Sequence, residues 1–303
     1  MASWNRVKPP EGVMPNPSWV KDTGCVGLWL MNNKGLKVRD VSGKNNHGTM
    51  TNMANPSTTT SGWTGGKFGN ALAFDGTDDV VNCGKNFFTD GGAYTISMWI
   101  NPTTSGTTTE WFWAQEKNTS VSSPLMGLGR NESASGRLML TYEGSSAIYN
   151  AAYTISDGWQ HLVCVIEPNI TCRVYKNGLL YATSSAIAGY TVNTKEATYS
   201  NFAIGGFYRA SSLYYAHQSI IDHFYLFNRV LSQQEIQRQY SQPFYMFPKP
   251  IPIFYSISAG GTTYDESLSF GVSSRLSIIN NAILVNSVSF DSSGDFVQGN
   301  IGN

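Results

Sequence analysis

The stretch RVYKNGLLYATS, residues 173–184, decides the fold. Two short runs rich in β-branched, aromatic and aliphatic side chains flank Asn177-Gly178. That dipeptide supplies the positive φ angles of a two-residue hairpin turn, so the segment is expected to double back as antiparallel strands. Outward from it the same grammar repeats. CVGLWLMN (25–32), ALAFDG (71–76), DDVVNCG (78–84), YTISMWINP (94–102), GRLMLTYEG (136–144), WQHLVCVIEP (159–168), NFAIGGFY (201–208) and SIIDHFYLFN (219–228) are short alternating or apolar runs separated by Gly, Asn, Asp, Ser and Thr. Many short strands at this spacing point to an all-β protein built as a sandwich or jelly roll. One segment has helical character, LSQQEIQRQY (231–240), where Ser232 and Glu235 stand at capping-box spacing.

The two ends differ from this middle. Residues 1–23 carry four prolines and little periodicity and read as an extended arm. Four prolines between Pro243 and Pro252 break regular structure and put a domain boundary near residue 241. Residues 242–303 resume alternation in SLSFGVSSRLSII and AILVNSVSF, three short strands that would be marginal alone. This Pro-rich linker and β-tail is therefore expected to pack on the sandwich or on another copy, serving as an anchor or a contact for homo-oligomerisation.

Composition narrows the function. Twenty basic residues balance twenty acidic ones, and only 13% of the 303 residues are charged, which leaves no electrostatic footprint for nucleic acid or an anionic membrane. No apolar run reaches the roughly 18 residues of a membrane span, and the first residues lack the apolar core of a secretory signal. Aromatics make up 13% of the chain, useful for a partly wet ligand surface and equally for strands. Cys25, Cys83, Cys164 and Cys172 show no zinc-type spacing and are expected to be buried free thiols.

Taken in order, VGLWLMN, RDVSGKNNHGTM (39–50), GKFGNALAFDGTDDVVNCG (66–84), YTISMWINP, DGWQHLVCVIE, RVYKNGLLYATS, FAIGGF and IIDHFYLFNRVLSQQEIQRQY (220–240) resemble the laminin G-like (LamG) branch of the concanavalin A-like lectin/glucanase superfamily. The resemblance spans residues 24–241 and implies a jelly-roll sandwich of two antiparallel sheets, usually in non-catalytic modules that bind glycans or proteins. It also implies a calcium site. Carried over by position, its ligands would be Asp40, Asn46 and Asp222, with carbonyls near Gly43 completing an oxygen shell. His223 stands where the family often has a further acidic residue. The alternative for the 39–50 loop is a metal-free turn held by Asx hydrogen bonds. Asp75, Asp78 and Asp79 in FDGTDDVV read as a turn and a strand start before they read as acid–base or metal chemistry.

The glucanase side of the superfamily calls for a test of enzymatic activity. Retaining glycosidases need two carboxyls about 5–5.5 Å apart, on this fold in a Glu-x-Asp-x-Glu array. None of the nine glutamates begins one, and neither a Gly-x-Ser-x-Gly elbow nor a His-Glu-x-x-His motif occurs, so no catalytic residue is assigned. Glycan contact falls instead on aromatic clusters: Trp111 and Trp113 at period two in EWFWAQ, Tyr142 in LTYEG, and Tyr208, Arg209, Tyr214 and Tyr215 in GGFYRASSLYY. The tryptophans could instead face the core and the tyrosines line a subunit contact. LamG-like domains followed by aromatic, Pro-rich tails also resemble phage structural proteins. The expectation is a virion surface protein, on capsid or tail, bound to other virion proteins through arm and tail and displaying the sandwich to host-surface polysaccharide. A bacterial cell-surface glycan-binding module and a glycoside hydrolase are the alternatives.

Overall fold

The computed structural model describes residues 8–89, 91–102, 109–115, 126–131, 137–142, 145–150, 158–167, 171–184, 201–209, 212–214, 216–248, 253–256, 276–279 and 282–285, with backbone alone at 109, 131, 137–139, 141–142, 145–150, 208–209, 212–214 and from 253 onward. Two compact units divide the chain, Met1–Phe247 and Pro248–Asn303.

The first unit holds two eight-stranded antiparallel sheets. Across the first run β14 (Leu179–Thr183), β13 (Thr171–Lys176), β12 (Gln160–Glu167), β7 (Tyr94–Pro102), β18 (Gln218–Phe227), β5 (Gly69–Asp75) and β4 (Gly62–Gly66), with β1 (Cys25–Trp29) also paired to β18. Across the second run β11 (Ser145–Asn150), β10 (Arg137–Tyr142), β9 (Met126–Asn131), β8 (Thr109–Gln115), β15 (Phe202–Ile204), β6 (Val80–Asn82), β3 (Gly48–Thr51) and β2 (Lys37–Val38). A separate hairpin pairs β16 (Phe207–Arg209) with β17 (Ser212–Tyr214). The expected hairpin at 173–184 is β13–β14, with Asn177 at φ 53° and Gly178 at φ 81°. This is the jelly-roll β-sandwich the strand grammar implied. All four cysteines are buried free thiols.

The main core fills the space between the sheets, with Trp29, Phe74, Met98, Phe112, Trp113, Phe202 and Phe224 among its members. A second core lies on the other face of the first sheet. Val163 and Val165 of β12 and Tyr225 and Phe227 of β18 pack there against Val20, Ile236, Phe244, Met246 and Phe247. β12 and β18 are thus buried on both faces, which is why HLVCVI and HFYLF read as continuous apolar runs.

That second core corrects the expectation for the ends. Residues 17–23 form helix α1 (Pro17–Thr23), capped by the Asn16 side chain on the Ser18 N–H at 2.9 Å and ended by left-handed Gly24. Trp19 Nε1 donates to the Tyr245 hydroxyl at 3.0 Å, and the Asn16 N–H donates to the Met246 carbonyl at 2.9 Å. Both segments cover the sheet, because the apolar face of β12 and β18 would otherwise meet water. The sandwich unit accordingly extends to Phe247, six residues beyond the expected boundary. Helix α2 (Gln233–Ser241) carries the complete capping box of Ser232 and Glu235.

The second unit contains a three-stranded antiparallel sheet in the order β19 (Ile253–Ser256), β21 (Ala282–Val285), β20 (Leu276–Ile279). Among the described residues no helix is long and apolar enough to cross a membrane.

Candidate functional site

The 39–50 loop is organised around Asp40. Its Oδ1 accepts the N–H groups of Leu28 at 2.9 Å and Ser42 at 2.8 Å, and its Oδ2 accepts the Ser42 hydroxyl at 2.9 Å and the Asn46 N–H at 2.9 Å. Four donors on one buried carboxylate tie the loop to β1. Asn46 is also engaged: its Nδ2 donates to the Val26 carbonyl at 2.6 Å, its backbone carbonyl accepts Trp29 Nε1 at 2.8 Å, and its Oδ1 accepts Lys85 Nζ at 2.9 Å.

Asp222 sits at an irregularity of β18. The register against β7 slips by one residue between Ile221, opposite Ile100, and Phe224, opposite Met98. On its other edge β18 changes partner from β5 to β1 over the same interval. A bulge of this kind re-aims a side chain. Here it turns a fully buried carboxylate toward Lys8, the Phe68 N–H at 2.9 Å and the His223 N–H at 2.7 Å. Burial works to raise the carboxyl's pKa, but His223 and Lys8 overcome it and hold it down to about 2.

These residues do not fit the implied calcium shell. Calcium needs six to eight oxygens free to turn toward it. The Asp40 oxygens are taken by four donors, the Asn46 amide oxygen holds the Lys85 ammonium, and the Asp222 carboxylate holds the Lys8 ammonium. No hydrogen bond among the described residues links Asp222 to Asp40 or Asn46. The 39–50 loop is a turn held by Asx-type hydrogen bonds, and lysines donate to the remaining oxygens of the implied set.

Trp111 and Trp113 do not share a face. The β8–β9 register slips between Trp111, opposite Gly129, and Trp113, opposite Leu128. Trp113 goes into the main core against Phe88 and Phe202, whereas Trp111 turns outward to pack with Ala114 and Phe207. Their exposures are 0% and 1%, so neither indole offers a face to an outside ligand. This corrects the period-two expectation, because a bulge resets the alternation. Phe207 belongs to the β16–β17 hairpin, and its ring lies 6.4 Å from that of Trp111. Tyr208, Arg209 and Tyr214 follow on the same hairpin by backbone position, with Tyr208 opposite Leu213 and Arg209 opposite Ser212. Tyr142 closes β10 opposite Met126 and Ser145. The side chains of these four, and Tyr215 altogether, lie outside the described residues.

The family's sequence pattern, the concanavalin A-like lectin/glucanases superfamily, matches residues 75–237. The chain belongs to that superfamily. A comparison with curated proteins by sequence returns no match. Among solved structures, this superfamily member is similar to domain 4 of AbnA, a GH43 extracellular arabinanase from Geobacillus stearothermophilus, in complex with arabinotriose: 19% identity, TM-score 0.51, 70% of this chain and 96% of that one. It is also similar to the binding domain of Paraclostridial Mosquitocidal Protein 1, with 16% identity, TM-score 0.52, and 75% and 53% coverage. Trypanosoma rangeli sialidase with 2,3-difluorosialic acid aligns at 15% identity and TM-score 0.50, covering 74% of this chain and 34% of that one. The chain thus spans about a third of the sialidase.

On this superfamily sandwich, two polar clusters escaped the sequence. Glu110 and Arg130 stand opposite each other on β8 and β9, with Arg130 Nη2 3.1 Å and His217 Nε2 3.5 Å from Glu110 Oε2. Burial raises the Glu110 carboxyl to about 7 against the opposing pull of Arg130, and burial also pushes His217 well below its ordinary range. On the first sheet, His161 accepts or donates at 2.9 Å with the Ser97 hydroxyl and lies against Trp99 and Tyr240. Both clusters join residues distant in sequence, so no local motif announced them.

Proposed function

We propose that the sandwich is a non-catalytic carbohydrate-binding module, displayed on a virion surface and directed at host-surface polysaccharide. The observation that supports the binding reading is the β16–β17 hairpin, whose backbone carries Tyr208, Arg209 and Tyr214 and whose Phe207 packs on Trp111 of the second sheet. Tyrosine faces stack on the C–H faces of sugars, and a guanidinium donates to hydroxyls, without any net charge on the ligand. The near-neutral, sparsely charged composition agrees with an uncharged ligand. The similar arabinanase domain is one that holds arabinotriose, and this chain spans nearly its whole length.

The non-catalytic part rests on how the buried carboxylates are used. Glu110 is tied to Arg130, Asp222 to Lys8, and Asp40 to four donors, which leaves them unsuited to the paired acid and nucleophile of a retaining glycosidase. The virion reading rests on the Pro-rich passage after Phe247 and on the second unit with its own small sheet, a suitable anchor or oligomer contact.

A panel of bacterial and algal glycans probed with the full chain tests the binding reading. Binding that disappears in Tyr208→Ala and Tyr214→Ala, at unchanged melting temperature, is the expected result. Binding unaffected by both substitutions would move the ligand elsewhere.

A further inference from the structure

We infer that the cavity between the N-terminal arm and the turn leading into β2 is an anion site that takes the phosphate group of a phosphorylated sugar. Lys34, Lys37, Arg39 and His47 line it together with Glu11 and Leu36, around a volume of about 360 Å³.

The chain is neutral as a whole, but this face is not. Between residues 33 and 47 stand four cations, Lys34, Lys37, Arg39 and Lys44, against one carboxylate, Asp40. Asp40 is buried, and its oxygens are taken by four donors. The carboxylate that lines the cavity is Glu11, 3.6 Å from Arg39 Nη1. Both side chains of that pair are about half exposed, so it is weak enough for an incoming anion to displace. Among the described residues neither Lys34 nor Lys37 has a carboxylate partner. Two positive charges of the lining are therefore uncompensated.

Fixed backbone presents these cations. The buried Asn33 side chain bridges the turn, its Nδ2 donating to the Lys37 carbonyl and its Oδ1 accepting the Arg39 N–H at 3.3 Å. Trp63 Nε1 donates to the Gly35 carbonyl at 2.8 Å, and the Met50 N–H donates to the Leu36 carbonyl at 2.8 Å. On the opposite wall Asn32 Nδ2 donates to the Pro9 carbonyl at 2.9 Å, which holds the arm that carries Glu11. His47 Nδ1 accepts the Asp40 N–H at 3.0 Å, so in the neutral imidazole Nε2 carries the proton and is a donor.

This donor set suits phosphate. A guanidinium forks onto phosphate oxygens and ammonium groups act as point charges beside it. A phosphate monoester carries a charge of about −1.5 to −2, which matches the uncompensated lining, and its three terminal oxygens use more donors than the two of a carboxylate. The cavity has the size of a small-molecule site, larger than phosphate alone requires. Leu36, 53% exposed, offers an apolar wall to the C–H face of an attached sugar ring. The site lies outside the β16–β17 hairpin and does not rest on the reading of that hairpin.

The test titrates the full chain by calorimetry with inorganic phosphate, glucose 6-phosphate, glucose and glucuronate, with melting curves alongside. The inference predicts binding of inorganic phosphate, tighter binding of glucose 6-phosphate, and weakening of both as salt is raised. Arg39→Ala, and Lys34→Ala combined with Lys37→Ala, should each weaken glucose 6-phosphate binding by at least about tenfold at unchanged melting temperature. Glu11→Gln should strengthen it by about two- to fivefold, because the competing carboxylate is gone. Lys21→Ala, an exposed lysine of α1, should leave the affinity as it was. No heat with either phosphate probe at millimolar concentration would overturn the inference, as would unchanged affinity in the Arg39 and lysine variants. Glucuronate or glucose bound as tightly as glucose 6-phosphate would overturn the assignment to phosphate. The inorganic phosphate arm contains no sugar, so its outcome is independent of whether the domain binds a glycan.

Discussion

Lys8 and Asp222, 214 positions apart, form an ion pair whose side chains are 5% and 0% exposed. The first described residue of the chain is thereby tied to the bulge in the central strand β18. Breaking a buried pair by removing one partner leaves an uncompensated charge and costs about 3–5 kcal/mol. Lys8→Met should destabilise the protein by that order in urea denaturation. A loss no larger than that of an exposed lysine would show that the pair is not formed in solution.

Acid stability gives a second check, through His161. Burial, with the neighbouring His223, pushes its imidazole down to about 3. The unfolded chain binds a proton there below about pH 6.5, and the folded one refuses it until far lower, so stability falls as pH drops through that window. His161→Gln, which can keep the bond to Ser97, should flatten the decline by up to about 1.4 kcal/mol per pH unit. Denaturation midpoints between about pH 6.5 and pH 4 read this directly.

Gly129 lies directly against β8. A Cβ there would come within 2.1 Å of the Glu110 carbonyl and 3.0 Å of the Trp111 ring. Gly129→Ala should therefore cost about 1–3 kcal/mol by forcing the two strands apart. A neutral effect on the melting temperature would contradict the β8–β9 register.

The tryptophans and the hairpin tyrosines should separate cleanly. Trp113→Ala removes a fully buried ring and should destabilise by about 3–5 kcal/mol. Tyr208→Ala and Tyr214→Ala should spare stability and abolish glycan binding. Equal destabilisation in all three would make the hairpin structural.

Deletion of residues 248–303 should leave the sandwich folded, since the compact unit ends at Phe247. On the virion reading it should abolish incorporation into particles. Normal incorporation of the truncated chain would remove the anchoring role. Deleting residues 1–23 is no equivalent test, because Trp19, Val20 and Lys8 are packed into the sandwich.

Features fixed by neighbours in sequence were legible from sequence. Asn177-Gly178 announced its hairpin, and Ser232 with Glu235 announced the cap of α2, because each is a contact over one to three residues. Helix α1 had signals too, in Asn16 at the cap, Pro17 at the first helical position and Gly24 at the end, but the density of prolines obscured them. What resisted was set by long-range geometry. The bulge that parts Trp111 from Trp113 depends on β9, and the lysines that occupy Asn46 and Asp222 come from residues 85 and 8.

The measurement that bears most directly on the central claim is calorimetric titration of the full chain with oligosaccharides retained on the glycan panel, arabinotriose included, combined with analysis of the sugar afterwards. The account predicts saturable binding with the oligosaccharide recovered intact. Shortened sugar products would contradict the non-catalytic reading, and no binding to any glycan on the panel would contradict the carbohydrate-binding reading itself.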